Sequence, residues 1–238
     1  MAGSSKLPQI ENCLLVDLPR KRYPKLFSKL RPVSLSLQQV LYQSGDPMKY
    51  VLFPNTAMIS LVAYRDDKKR SVEVGIVGRD GLLGVTALLG SGVSIYQTIV
   101  QLPGTAFSVR AEVVKEAVEQ DGPFRSLFHA YVQALLVQLS RSTLCNCFHK
   151  LDERLARWLL MTHDYAGSDT FPMKQSFMTA MLAARRISVT QSAHRLQQAG
   201  VISYRRGQLT IHSRKKLEAF SCSCYQIIKS HLARIHVS

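Results

Sequence analysis

Arg185, Arg186, Ser188, Gln191, His194 and Arg195 crowd into one short stretch of the chain, and their chemistry is recognition rather than catalysis. On a helix lying in a major groove, arginine can bridge guanine O6 and N7, and glutamine can bridge adenine N6 and N7. Lys174 and Gln175 upstream, and Arg205 and Arg206 downstream, are placed to meet phosphate. No Asp or Glu occurs between Asp169 and Glu218, whereas nine cations do: Lys174, Arg185, Arg186, Arg195, Arg205, Arg206, Arg214, Lys215 and Lys216. A segment that lies against phosphates excludes carboxylates because each would repel the backbone. The competing reading of such a window is a solvated basic face.

Cys145-Asn146-Cys147 with His149, and Cys222-Ser223-Cys224, form a second constellation. Thiolates and imidazole suit zinc or an iron–sulfur cluster. C-x-C is not the usual C-x₂₋₄-C spacing, however, and the two pairs flank the basic segment with nothing in the sequence to make them meet. The expectation is small buried cysteines, with no metal and no cofactor, and thiol-based sensing as the alternative. With Cys13 the count is an odd five, which does not suggest a disulfide framework. Nucleophile-elbow, zincin, P-loop and dinucleotide motifs are all absent. His149, Asp152 and Glu153 read as the start of a helix, where carboxylates favour the dipole. No enzyme is expected.

The elements that must position these residues follow from composition and periodicity. The chain has 238 residues, 31 Lys+Arg against 16 Asp+Glu and a formal charge of +15, with 46% hydrophobic and 20% charged residues. That balance excludes general disorder and favours a polyanionic partner. There is no apolar run of the roughly 18 residues a membrane span needs, nor a secretory signal pattern at the N-terminus, so a cytoplasmic protein without a membrane partner is expected. From Arg31 to Val109 short β-favouring segments (33–42, 49–53, 57–64, 71–77, 95–102 and 105–109) alternate with turns at Ser44–Pro47, Pro54-Asn55, Arg65–Asp67, Gly78–Gly81 and Pro103-Gly104, the pattern of an antiparallel sandwich or jelly roll. Helical periodicity returns over 111–120 before a break at Asp121-Gly122-Pro123. Residues 124–147 then contain no Gly or Pro and predict a long helix. Its apolar stripe is too wide for one small sandwich to cover unaided, so the helix is expected to pack partly against a second copy in a two-fold dimer through Phe124, Phe128, Tyr131, Leu135 and Leu139, the competing reading being a core helix lying wholly on its own domain. A further helix over 151–165, helices near 174–182 and 186–198, and a strand pair at 201–205 and 208–212 complete the order of a winged helix-turn-helix. The domain division expected is therefore 1–121, 122–148 and 149–238.

Nearly the whole chain resembles the Crp/Fnr family of bacterial transcription regulators. The resemblance is carried by LYQSGDPMKYVLFP (41–54) with MISL (58–61), EVGIVGRDGLLG (73–84), CNCFHKLDERLARWLL (145–160) and MLAARRISVTQSAHRLQQAGVISYRRGQL (181–209). It implies an α+β chain: an N-terminal antiparallel β jelly roll of the cyclic-nucleotide-binding type, a long dimerisation helix and a C-terminal winged helix-turn-helix. It also implies a homodimer that regulates transcription on a palindromic double-stranded DNA operator and works with RNA polymerase. Arg186, Gln191 and Arg195 would then read bases. Lys174, Gln175, Arg185, Ser188, Thr190, His194, Arg205 and Arg206 would hold the DNA backbone.

Two departures from the family pattern stand out. Ala183 replaces the glycine usual in the helix-turn-helix bend, where left-handed geometry would cost about 1 kcal/mol. Relatives that bind cyclic nucleotides hold the phosphate with an arginine, and residues 80–109 contain none. Cyclic AMP is therefore not expected as the effector, whose identity the sequence leaves open. A reading from another class is a small-molecule or protein-binding sensor whose helix-turn-helix is only a packing module.

Overall fold

The computed structural model describes residues 9–65, 70–120 and 122–237. Asp66, Asp67 and Asp121, which the sequence assigns to turns, lie outside them.

Two short helices, α1 (Cys13–Val16) and α2 (Pro24–Lys29), lead in. Asn12 caps α1 by accepting from the Leu15 amide, and its own amide donates to the carbonyls of Pro54 and Gly81. Seven antiparallel strands follow: β1 (Arg31–Leu35), β2 (Val40–Tyr42), β3 (Tyr50–Pro54), β4 (Met58–Tyr64), β5 (Ser71–Val77), β6 (Gln97–Leu102) and β7 (Gly104–Arg110), with α3 (Val85–Leu89) between β5 and β6. They form two sheets, ordered β1-β7-β3 and β2-β6-β4-β5. The single strand expected over 33–42 is in fact two, one in each sheet. Gln38, in the left-handed region at φ 63°, turns the chain between them.

Two helices come next, α4 (Ala111–Glu119) and the 26-residue α5 (Pro123–Phe148), the latter about 39 Å long at 1.5 Å per residue. The first half of α5 is absorbed by its own chain. Phe124, Phe128 and Tyr131 are 0%, 2% and 2% exposed, in one core with Leu14, Tyr23, Leu26, Phe53 and Phe107. The Tyr131 hydroxyl donates to the Leu82 carbonyl, and its ring lies so close to Gly81 that a Cβ there would sit 2.3 Å from it. Leu135 and Leu139 are half-buried, the former among the inner side chains of the sandwich and the latter against Gly75 of β5. The expectation that these five side chains form a dimer interface is thus corrected for Phe124, Phe128 and Tyr131, which have no surface left to offer, and weakened for Leu135 and Leu139.

Next, α6 (Leu151–Ala166) lies on the four-stranded sheet, on the face opposite the sandwich interior. With both faces covered, β4 buries five consecutive residues, Met58 to Val62. Trp158 Nε1 donates to Glu73 at 2.9 Å, Gln101 to Thr162 Oγ1 at 2.7 Å, and the Tyr165 hydroxyl to Asp80. The close approach of Tyr165 requires Gly78, where any Cβ would fall 2.2 Å from the ring.

After α6 come β8 (Thr170–Pro172), α7 (Gln175–Met181), α8 (Arg186–Gln198), β9 (Ile202–Arg205), β10 (Gln208–Ile211), α9 (Arg214–Phe220), α10 (Cys224–Ala233) and a 3₁₀ turn, Arg234–Val237. The expected hairpin is present, and β8 joins it as a third strand in the order β8-β10-β9. A three-residue strand gives too little periodicity to be seen in advance.

Candidate nucleic-acid interface

The α7–α8 pair is folded together by Met178, Met181, Leu182, Val189, Ala193 and Leu196, all buried in the core shared with α6. The bend between them contains Ala183 at φ 47°, so this chain holds an alanine in the left-handed region that glycine normally occupies. Gln175 Nε2 donates to Thr190 Oγ1 at 2.5 Å, locking the first helix to the second. The hydroxyl of Thr190 also donates to the Arg186 carbonyl.

Packing one face of α8 leaves the other bare. Arg185, Arg186, Ile187, Thr190, Gln191 and His194 are exposed and Ser188 is half-exposed. At the wing, Arg206 (φ 51°) and Gly207 (φ 76°) form a two-residue loop with both residues left-handed, the geometry that matches strand twist in a hairpin. Arg205 and Arg206 are exposed there, and Lys174 is exposed at the start of α7, with its ammonium 3.3 Å from Gln38 Oε1 of the β1–β2 turn.

Arg195 departs from its expected role. Its guanidinium grips Asp152 of α6 through two hydrogen bonds of 2.6 and 2.7 Å, and that contact holds the Asp152 carboxyl below its ordinary range. This arginine braces α8 against α6, and an arginine held in a carboxylate fork is not poised to read a base. Arg214 is likewise engaged, with Asp164 and Glu218. Among the described residues, Arg185, Arg186, Arg205, Arg206, Lys215 and Lys216 have no carboxylate partner.

Sequence reasoning missed Ile187, 73% exposed at the first turn of α8. A large apolar side chain in a row of cations is the signal that could have found it, because the thymine methyl is the one apolar feature of a major-groove base edge.

Within the sandwich, a cavity of about 160 Å³ lies between the sheet and α5, lined by residues such as Met48, Leu61, Leu83, Tyr96 and Leu139, with no charged side chain on its wall. Arg79 is not in it. It is exposed, and its guanidinium donates to the Asp164 carbonyl at the end of α6.

The cysteine pairs, which nothing in the sequence brings together, do meet. The folded chain brings Cys145, His149, Cys222 and Cys224 together, with their ligand atoms all within 4.8 Å of one another. Cys147 points away and is exposed, and Cys13 lies elsewhere.

Residues 153–220 match the Crp-like helix-turn-helix domain family. In structure the chain is similar to a regulator described as Crp/Fnr-family from Eubacterium rectale (TM-score 0.68, 15% identity, covering 87% of this chain and 97% of that one). It is also similar to FixK2 from Bradyrhizobium japonicum (TM-score 0.67, 17% identity, 81% and 98%) and to CLP, a c-di-GMP-responsive global regulator from Xanthomonas campestris (TM-score 0.61, 15% identity, 82% and 100%). No curated protein matches it in sequence.

Proposed function

We propose that this chain, a Crp-like helix-turn-helix domain set on the fold of the Crp/Fnr regulators, is a homodimeric, sequence-specific double-stranded DNA-binding transcription regulator. The observation that carries this reading is the bare face of α8. Arg185, Arg186, Gln191 and His194 stand there with the wing cations Arg205 and Arg206, and among the described residues no carboxylate meets these four arginines. In this reading Arg186 and Gln191 reach base edges and Ile187 meets a thymine methyl. Lys174, Arg185, Ser188, His194, Arg205 and Arg206 follow the phosphates. Gln175 and Thr190, already bonded to each other, shape that contact. A two-fold dimer would set two α8 helices about 34 Å apart, one turn of B-DNA, on an inverted-repeat operator. RNA polymerase is the further partner this role entails, and the cytoplasm is the compartment.

The uncharged cavity wall bears on the effector. A cyclic phosphate buried there would have no guanidinium to pair with, so the signal is a ligand other than cyclic AMP. The apolar lining suits an uncharged molecule.

Anisotropy titrations on a promoter fragment test the DNA reading. Log affinity should fall linearly with log salt, at a slope of several counterions per protomer. A slope near zero would sink the nucleic-acid reading.

A further inference from the structure

We propose that Cys145, His149, Cys222 and Cys224 form a mononuclear zinc site that ties the C-terminal end of α5 to the α9–α10 loop and the first residue of α10. Cys145 and His149 are separated by four positions across the end of α5, which brings them to one side of the helix. Cys222 and Cys224 arrive from the far end of the chain, 77 and 75 residues away from their nearest partners. Tetrahedral bonds of about 2.3 Å to sulfur and about 2.0 Å to nitrogen place ligand atoms about 3.5–3.8 Å apart. Cys145 Sγ lies 3.5 Å from Cys222 Sγ, and Cys224 Sγ lies 3.8 Å from His149 Nδ1. A disulfide would need its sulfurs at about 2.05 Å. A multi-iron cluster would spread its thiolates over different irons, which ligand atoms gathered within 4.8 Å do not do.

An independent observation concerns charge. Arg157 of α6 is 5% exposed, and its Nε has no hydrogen-bond partner among the described residues. It lies close enough to Cys145, Cys222 and Cys224 to act electrostatically on all three. On binding, each thiol releases its proton as a Zn–S bond forms, so a zinc ion with three thiolates and one neutral imidazole carries a single net negative charge. Arg157 is the buried cation that balances it. Cys145, Cys222 and Cys224 are 0%, 6% and 0% exposed, so the site is closed, as structural zinc sites are. Cys147, two residues from Cys145 on the other side of the helix, has no part in it.

The test is metal analysis of the full chain purified under reducing conditions, with cobalt exchange as an optical probe. Wild type should hold about one zinc per chain, and its cobalt form should show the intense visible bands of a tetrahedral site with thiolate-to-metal charge transfer. Cys145→Ser and Cys222→Ser each remove a ligand and should lower zinc content by at least the roughly tenfold that loss of an outer-shell partner alone costs in affinity, and His149→Asn should weaken retention against a chelator. Cys147→Ser and Cys13→Ser should keep the metal. A wild-type chain that takes up no zinc or cobalt after reduction overturns the proposal, whether or not the variants fold. So do Cys145→Ser or Cys222→Ser chains that retain full zinc, acid-labile sulfide with iron, or a Cys145–Cys222 disulfide in freshly lysed cells.

Discussion

Arg186 and Arg206 are both exposed arginines of the same segment, and the proposed DNA-binding role gives them different work. Arg186 opens α8 beside Ile187 and Gln191, where a helix in the major groove meets base edges. Arg206 sits at a hairpin tip, where in the proposed complex it would meet the sugar-phosphate rim. Losing a bidentate base contact costs about 1–3 kcal/mol and relaxes preference at one position, whereas losing a phosphate contact weakens every sequence alike. Arg186→Ala should therefore flatten the ratio of operator to scrambled-DNA affinity. Arg206→Ala should lower both affinities and leave the ratio nearly unchanged. Competition binding separates the two, and an Arg186→Ala chain with its wild-type ratio would make Arg186 another phosphate contact.

At the scale of elements, α5 presents a second stripe that the sequence pattern does not favour. His129, Gln133, Leu136, Ser140, Thr143 and Cys147 are all exposed and are spaced alternately by four and three, the seam of a two-helix contact. With Phe124, Phe128 and Tyr131 held in their own core, this stripe is the face of α5 that the proposed dimer would use. Leu136, 58% exposed, is its apolar centre. Leu136→Glu should shift the chain toward monomer in sedimentation and raise the protein concentration needed for operator binding, with little loss of thermal stability. An intact dimer would move the interface off this stripe.

Across the whole molecule, the recognition unit is joined to the sandwich through a buried acid. Glu73 is 8% exposed, accepts from Trp158 Nε1, and leaves Oε2 without a partner among the described residues. Burial pushes its carboxyl from 4.5 up to about 7, against the opposing pull of Ser60, Arg157 and Trp158. A carboxyl whose folded pKa is raised contributes stability fully below pH 4.5 and loses it as pH climbs through about 7; a shift of that size corresponds to on the order of 3 kcal/mol. Glu73→Gln keeps the acceptor for Trp158 without the charge. Its melting temperature should match wild type near pH 5 and exceed it increasingly toward pH 8, as followed by differential scanning calorimetry. Parallel melting curves at all pH values would show that Glu73 keeps an ordinary pKa.

Local pattern determined much of this protein. Alternation and turn residues marked the strands, the 3.6 period marked α5 to α8, and the acid-free window with Arg186 and Gln191 marked the bare basic face of α8, because each signal lies within a few neighbouring residues. Tertiary structure alone decided what depends on elements meeting. It turned Phe124, Phe128 and Tyr131 inward, since whether an apolar stripe faces its own sheet or a partner is not written in its period. It paired Arg195 with Asp152, 43 positions away, and so withdrew one cation from the row. It also carried Cys222 and Cys224 across the fold to Cys145 and His149. Sequence spacing governs ligands on one element; when ligands come from both ends of an 80-residue segment, only the packing of α5, α6 and α10 sets the distance between them.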